Sequence, residues 1–138
     1  MDIRQISVFL ENNAGRLAEV TRVLADAGIN LRAISIADTA DFGILRLIVD
    51  KCDTALGALK DAGFTTRVSE VAAVEIEDKP GSLAKVMDLF RVNNVNIEYL
   101  YASLEGNVGK AVVILKLENH QKGLQILKNN GVSMIEKF

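Results

Sequence analysis

The sequence is poor in the residues that build metal centres and covalent cross-links. Its 138 residues include one cysteine, Cys52, and one histidine, His120. That excludes an internal disulfide and leaves no His/Cys ligand cluster of the kind zinc prefers. The paired-cysteine loop of a metal chaperone is missing as well. No apolar run reaches the roughly 20 residues that a membrane helix needs. The start, MDIRQISVFLEN, lacks a basic region followed by an apolar core and a cleavage site, so no removable leader is expected there. A net charge of −2 offers no basic footprint for nucleic acid. Together these absences predict a soluble, cytosolic protein with no metal, cofactor, nucleic acid or membrane among its partners.

What is present is a duplication. The segment NNAGRLAEVTRVLADAGINLRAI, Asn12 to Ile34, returns as DKPGSLAKVMDLFRVNNVNIEYL, Asp78 to Leu100, at an offset of 66 residues. That offset carries Val8 onto Val74, Glu11 onto Glu77, Gly15 onto Gly81, Leu17 onto Leu83, Asn30 onto Asn96 and Gly43 onto Gly109. The chain reads as two copies of one unit, over residues 1–69 and 70–138. Each copy is near the lower size limit at which one core is stable alone, so the copies are expected to fold against each other or against another chain. No Pro-, Ser- or Gly-rich linker separates them.

Within the first copy, Ile6, Val8 and Leu10 alternate with polar or outward residues, the period of a half-buried strand. Leu17, Val20, Leu24 and Ala27 recur at helical spacing, and Gly28 ends that helix with a left-handed cap. Asn30 to Ala37 and the segment GILRLIVD read as two strands around a polar turn, Asp38 to Asp41. A short helix ending at Gly63 and a strand at Thr65 to Val68 complete the order βαββαβ. The second copy repeats it with Val71 to Glu77, Ser82 to Asn93, Asn96 to Ser103, Lys110 to Leu117, Gln121 to Asn130 and Val132 to Lys137. Gly109 and Gly131 are 22 positions apart where Gly43 and Gly63 are 20, which places two extra residues around Glu118 to Lys122. Right-handed crossovers then predict an α+β fold of two tandem ferredoxin-like units, each a four-stranded antiparallel sheet with both helices on one face.

The loop after each first strand is the most specific feature. Each opens a helix, and a glycine there leaves backbone N–H groups uncovered at the positive end of the helix dipole, a cradle suited to a carboxylate. Asn12 or Asp78 beside it can accept from an ammonium, and Asn30 and Asn96 add amide donors and acceptors. The same residues also suit capping and turn chemistry, so the pattern alone leaves both readings open.

An acidic or amide residue, two residues, Gly, any residue, Leu, an amphipathic helix and then Gly-Ile-Asn or its like resembles the ACT domain family. Both NNAGRLAEVTRVLADAGINLRAI and DKPGSLAKVMDLFRVNNVNIEYL carry it, so the resemblance covers nearly the whole chain as a free-standing tandem. It implies a non-catalytic sensor of amino acids or similar small carboxylates, acting on a regulated enzyme or transporter. It also implies units that pair side by side through their sheets, typically in a homodimer. The ligand is expected between the helix-start loop of one unit and the second strand of another, where binding favours the paired geometry. The implied site residues are Asn12, Asn13, Ala14, Gly15, Arg16, Leu17 and Asn30, and in the second copy Asp78, Lys79, Pro80, Gly81, Ser82, Leu83 and Asn96. Ala14 stands where the family commonly has proline. Asp78 can bind only an ammonium whereas Asn12 can serve either end of an amino acid, so the two sites are expected to differ.

Tyr99 and Tyr101 should share a strand face, as sheet packing or as part of a pocket or interface. Arg16 can pair a ligand carboxylate or simply sit at a helix start. Cys52 at a helix start is expected to be a buried or incidental thiol, although that position can lower a thiol pKa. His120 is expected to be solvated. An enzyme on this fold would need a glycine-rich phosphate cradle with a nucleophile or general base, and an RNA-binding module would need aromatics and basic residues on its third strand; neither is here. The rival is a ligand-independent protein–protein interaction module using Phe9, Ile48 and the tyrosines.

Overall fold

The computed structural model describes residues 3–11, 13–38, 42–104 and 106–138. Asn12 and most of the polar turn expected at 38–41 lie outside the described residues. Two compact units emerge: residues 4–69, and residues 70–138 together with 1–3.

In the first unit, β1 (Ile3–Glu11) leads into α1 (Arg16–Asp26), then β2 (Leu31–Asp38), β3 (Phe42–Val49) and α2 (Cys52–Asp61). The next strand, β4 (Thr65–Glu77), runs unbroken for 13 residues. Its first part closes the first unit and its second part opens the second, so the two strands expected at 65–68 and 71–77 are one element. The second unit continues with α3 (Ser82–Val92), β5 (Ile97–Ala102), β6 (Lys110–Leu117), α4 (His120–Asn129) and β7 (Met134–Ile135). The final strand, expected over 132–137, keeps two residues paired to β4 at Ala73 and Val74.

Strand order is β2-β3-β1-β4 in the first unit and β5-β6-β4 with β7 on β4 in the second. The pairs β1·β3, β2·β3, β4·β6, β5·β6 and β4·β7 are antiparallel. This is the α+β, tandem ferredoxin-like architecture that the duplicated pattern predicts. Alternation explains the first core: Ile6, Val8 and Leu10 of β1 meet Leu45 and Leu47 of β3 and the α1 stripe of Val20 and Leu24. Ala72, Val74, Leu115, Leu117, Val86 and Phe90 form its counterpart in the second unit. Gly28 takes φ +73, with Ile29 N–H donating to Leu24 carbonyl at 2.9 Å, which is the left-handed helix stop the sequence predicts. Asn94 takes the same role at φ +56, since asparagine tolerates that region better than other residues with a side chain.

One assignment moves. The two extra residues of the second copy lie in the β5–β6 hairpin, not around Glu118 to Lys122. Ile36 pairs with Leu45 in the first unit, while its counterpart Ala102 pairs with Val113, so the hairpin spans nine positions in one and eleven in the other. Gly43 therefore corresponds to Ala111, each facing the penultimate residue of its unit's opening strand. Gly109 is instead a turn residue at φ +77. A shift of two leaves strand alternation in phase, so the apolar pattern of β6 could not reveal it.

Candidate functional site

Both helix-start loops fold alike. Asn13 N–H donates to Glu11 carbonyl at 2.8 Å and Arg16 N–H to Asn13 carbonyl at 3.3 Å; Lys79 N–H reaches Glu77 carbonyl at 3.0 Å and Ser82 N–H reaches Lys79 carbonyl at 3.3 Å. Gly15 and Gly81 are the N-cap residues, at φ 90, ψ −11 and φ 89, ψ −14, and neither helix receives a side-chain cap. A Cβ on either glycine would meet no heavy atom within 4 Å. The glycines are therefore required by left-handed backbone and not by crowding, and space stays open over the first turn. Among the described residues no side chain caps these two helix starts, which leaves first-turn N–H groups presented without such an acceptor.

Around these loops the side chains differ. Asn13 Nδ2 donates to Glu11 Oε2 at 3.1 Å. Arg16 is half-buried, pairs with Glu19 and lays its guanidinium over the Phe64 ring at 4.6 Å from the centroid. It borders a groove of about 730 Å³ along α1, with Gly15, Ala62 and Phe64. In the second loop, Ser82 replaces this arginine. Lys79 Nζ lies 2.5 Å from Glu77 Oε2. The hydrogen bond from Lys79, its charge, and the charges of Lys110 and Lys85 hold the Glu77 carboxyl below the usual carboxylate range. Ala14, Asp78 and Pro80 are exposed; Leu17 is exposed where Leu83 is half-buried against the core.

Asn30 and Asn96 are exposed and backbone-anchored: Asp50 N–H donates to Asn30 carbonyl at 3.2 Å and Glu118 N–H to Asn96 carbonyl at 3.0 Å. Asp50 Oδ1 also accepts from Asn30 N–H at 3.0 Å. Within a unit, loop and asparagine sit at opposite ends of an 11-residue helix, about 16 Å at the usual rise per residue. No single unit brings its own loop and asparagine onto one small ligand.

Several residues outside the loops take positions the sequence did not reveal. Asn96 lines a cleft of about 860 Å³ with Glu70, Arg91, Glu118, His120 and Lys122. His120 is not solvated: its side chain is 12% exposed and Nε2 lies 3.7 Å from Glu70 Oε2. Half-buried Cys52 has its thiol pKa pushed up, chiefly by burial, with the Arg4 charge opposing and the Asp53 charge adding to the rise. Tyr99 and Tyr101 share a face as expected, stacked with centroids 6.5 Å apart. Ile48, offered above as an interaction residue, is 2% exposed. Among the described residues no group of three or more His, Cys, Asp or Glu side chains is placed to hold a metal ion, and no helix is long and apolar enough to cross a membrane.

A family model described as an ACT domain pair matches residues 1–137. Among solved structures, protein BT0572 from Bacteroides thetaiotaomicron is 43% identical, with a TM-score of 0.92 over 98% of this chain and 92% of that one. The ligand-free regulatory subunit of aspartate kinase from Thermus thermophilus shares the fold at 22% identity and TM-score 0.69, covering 94% and 93%. That of Thermus flavus does so at 21% and 0.64, covering 94% and 92%. No curated protein matches the sequence.

Proposed function

The chain belongs to the ACT domain pair family, and from that membership we propose that it is a non-catalytic regulatory protein whose ligand is an amino acid or similar small carboxylate. The observation that carries the reading is the recurrence of an uncapped helix start with a left-handed glycine. Such a start offers N–H donors and partial positive charge to a carboxylate. The asparagine at the far end of each helix belongs to a different ligand contact, so a complete site joins the loop of one unit to the second strand of another, supplied by the tandem or by a second copy in a homodimer. Binding then stabilises the paired arrangement by its differential affinity, and a regulated enzyme or transporter reads the change. The regulatory subunits of aspartate kinase that share the fold are in keeping with this role.

Thermal unfolding in the presence of each of the twenty amino acids tests the proposal. A ligand at about a hundredfold excess over its dissociation constant should add roughly 2 to 3 kcal/mol. Gly15→Leu and Gly81→Leu should each abolish stabilisation at their own site while costing about 1 to 2 kcal/mol of backbone strain. An identical melting curve with all twenty would sink it. A ligand-independent interaction module remains the second reading because the β5–β6 hairpin exposes Leu104 (66%) and Val108. A flat amino-acid screen together with a stable protein partner would favour it.

A further inference from the structure

The groove along α1 begins at the first helix-start loop and lies wholly within the first unit. Gly15 opens it, and most of its wall is small or apolar: Ala18, Thr21 and Ala25 on α1, with Ala62 and Phe64 just past the end of α2. Its volume, about 730 Å³, is in the range of small-molecule sites. The charges that line it are Arg16, Glu19 and Arg22. Two arginines against one glutamate favour an anionic group.

Arg16 also carries an unmet donor. Its Nη1 is taken by Glu19 and its plane by the Phe64 ring, while its Nε is buried with no hydrogen-bond partner. A carboxylate that drew the guanidinium toward the loop would give Nε the acceptor it lacks.

The duplication supplies a comparison. Phe64 N–H donates to Leu59 carbonyl and Val132 N–H to Leu127 carbonyl, equivalent bonds that match Phe64 with Val132 and Ala62 with Asn130. On the helix, Arg16 and Ala25 match Ser82 and Arg91. The second unit thus puts an aliphatic residue in place of the aromatic one, and a cation and an amide in place of two methyl groups.

We propose that the first loop, and not the second, selects a ligand whose carboxylate meets the open helix start and Arg16 while an apolar side chain lies in the groove against Ala18, Ala62 and Phe64. This rests on the loop site proposed above and adds its choice of side chain. Covering an apolar chain there is favourable in proportion to its area, whereas a carboxylate or amide laid on the same methyl groups and ring would lose water without gaining a partner.

The test is an amide-resolved NMR titration of the full chain with L-leucine, L-phenylalanine, L-alanine and L-aspartate, read separately at 15–25 and 81–91. The Arg16 Nε–H signal is followed alongside. Leucine or phenylalanine should move 15–25 and that signal with a dissociation constant at least about 10-fold below those of alanine and aspartate, a modest return for several buried methylene groups. Arg16→Lys keeps the charge, lacks the Nε–H and should weaken leucine binding about 10-fold. Ala25→Arg with Ala62→Asn gives two exposed positions their second-unit residues and should bring leucine to within about 3-fold of alanine. A loop that shifts equally with all four amino acids, a preference that survives the double substitution, or the same preference at 81–91 overturns the assignment and leaves the loop site standing. Immobile amides at both loops with all twenty amino acids overturn the loop site as well.

Discussion

A Cβ on Gly123 would lie 2.2 Å from Leu117 Cδ1, so any side chain at that position of α4 would force the buried Leu117 side chain of β6 to shift. At the equivalent positions of the first unit stand Ala55 on the helix and Val49 on the strand, both buried: the helix gains a methyl group and the strand residue is shorter by a methylene. The duplicated cores thus keep volume while redistributing it. Gly123→Ala should destabilise by about 1 to 3 kcal/mol in urea unfolding. Adding Leu117→Val should restore most of the loss, while Leu117→Val alone should cost about 0.5 to 1.5 kcal/mol for the methylene removed. If the double variant is no better than Gly123→Ala, the contact is not what limits that position. Glu77 belongs at this scale too. Its folded pKa lies below its unfolded one, so its contribution to stability is present above about pH 4 and lost as the pH falls through the lower folded value. Lys79→Met should move the Glu77 carboxyl titration upward, toward the ordinary carboxylate value, in an NMR pH series.

At the scale of elements, most of the fold was legible because periods of 2 and 3.6 recur with glycine stops at matching places. The hairpin length was not, since two extra residues leave alternation unchanged and only strand pairing shows where they sit. Merging of two strands into β4 was half visible: the missing linker announced continuity, and the absence of Gly, Pro, Asn or Asp between Val68 and Val71 allowed it. The helix starts divide by chemistry. Asn119 caps α4 through its side chain, whereas α1 and α3 have none. Asn119→Ala should therefore cost about 1 kcal/mol, and Asn13→Ala should stay within about 0.5 kcal/mol. Equal losses in denaturant unfolding would restore a capping role to the first loop. The loop residues of the candidate site stand out in the sequence by their recurrence. The cleft lined by Asn96 does not, because Glu70, Arg91 and the stretch from Glu118 to Lys122 are far apart in sequence and share no motif.

For the whole molecule, the informative element is the unbroken β4. Side chains on a strand point alternately to opposite faces, so Ala72, Val74 and Ile76 reach the second core only while their parity holds. The two copies are joined at an even offset of 66, and the hairpin lengthens by an even number. One alanine inserted between Ser69 and Glu70 should destabilise the chain more than two alanines inserted at the same point, as measured by urea midpoint. The reverse order would mean that a bulge absorbs the change. A tether of glycine and serine would let one copy drift in length while the other held its fold. A shared strand removes that freedom and makes the join count in steps of two, so a lengthening that would pass unnoticed in a hairpin becomes, one residue at a time, an inversion of inside and outside.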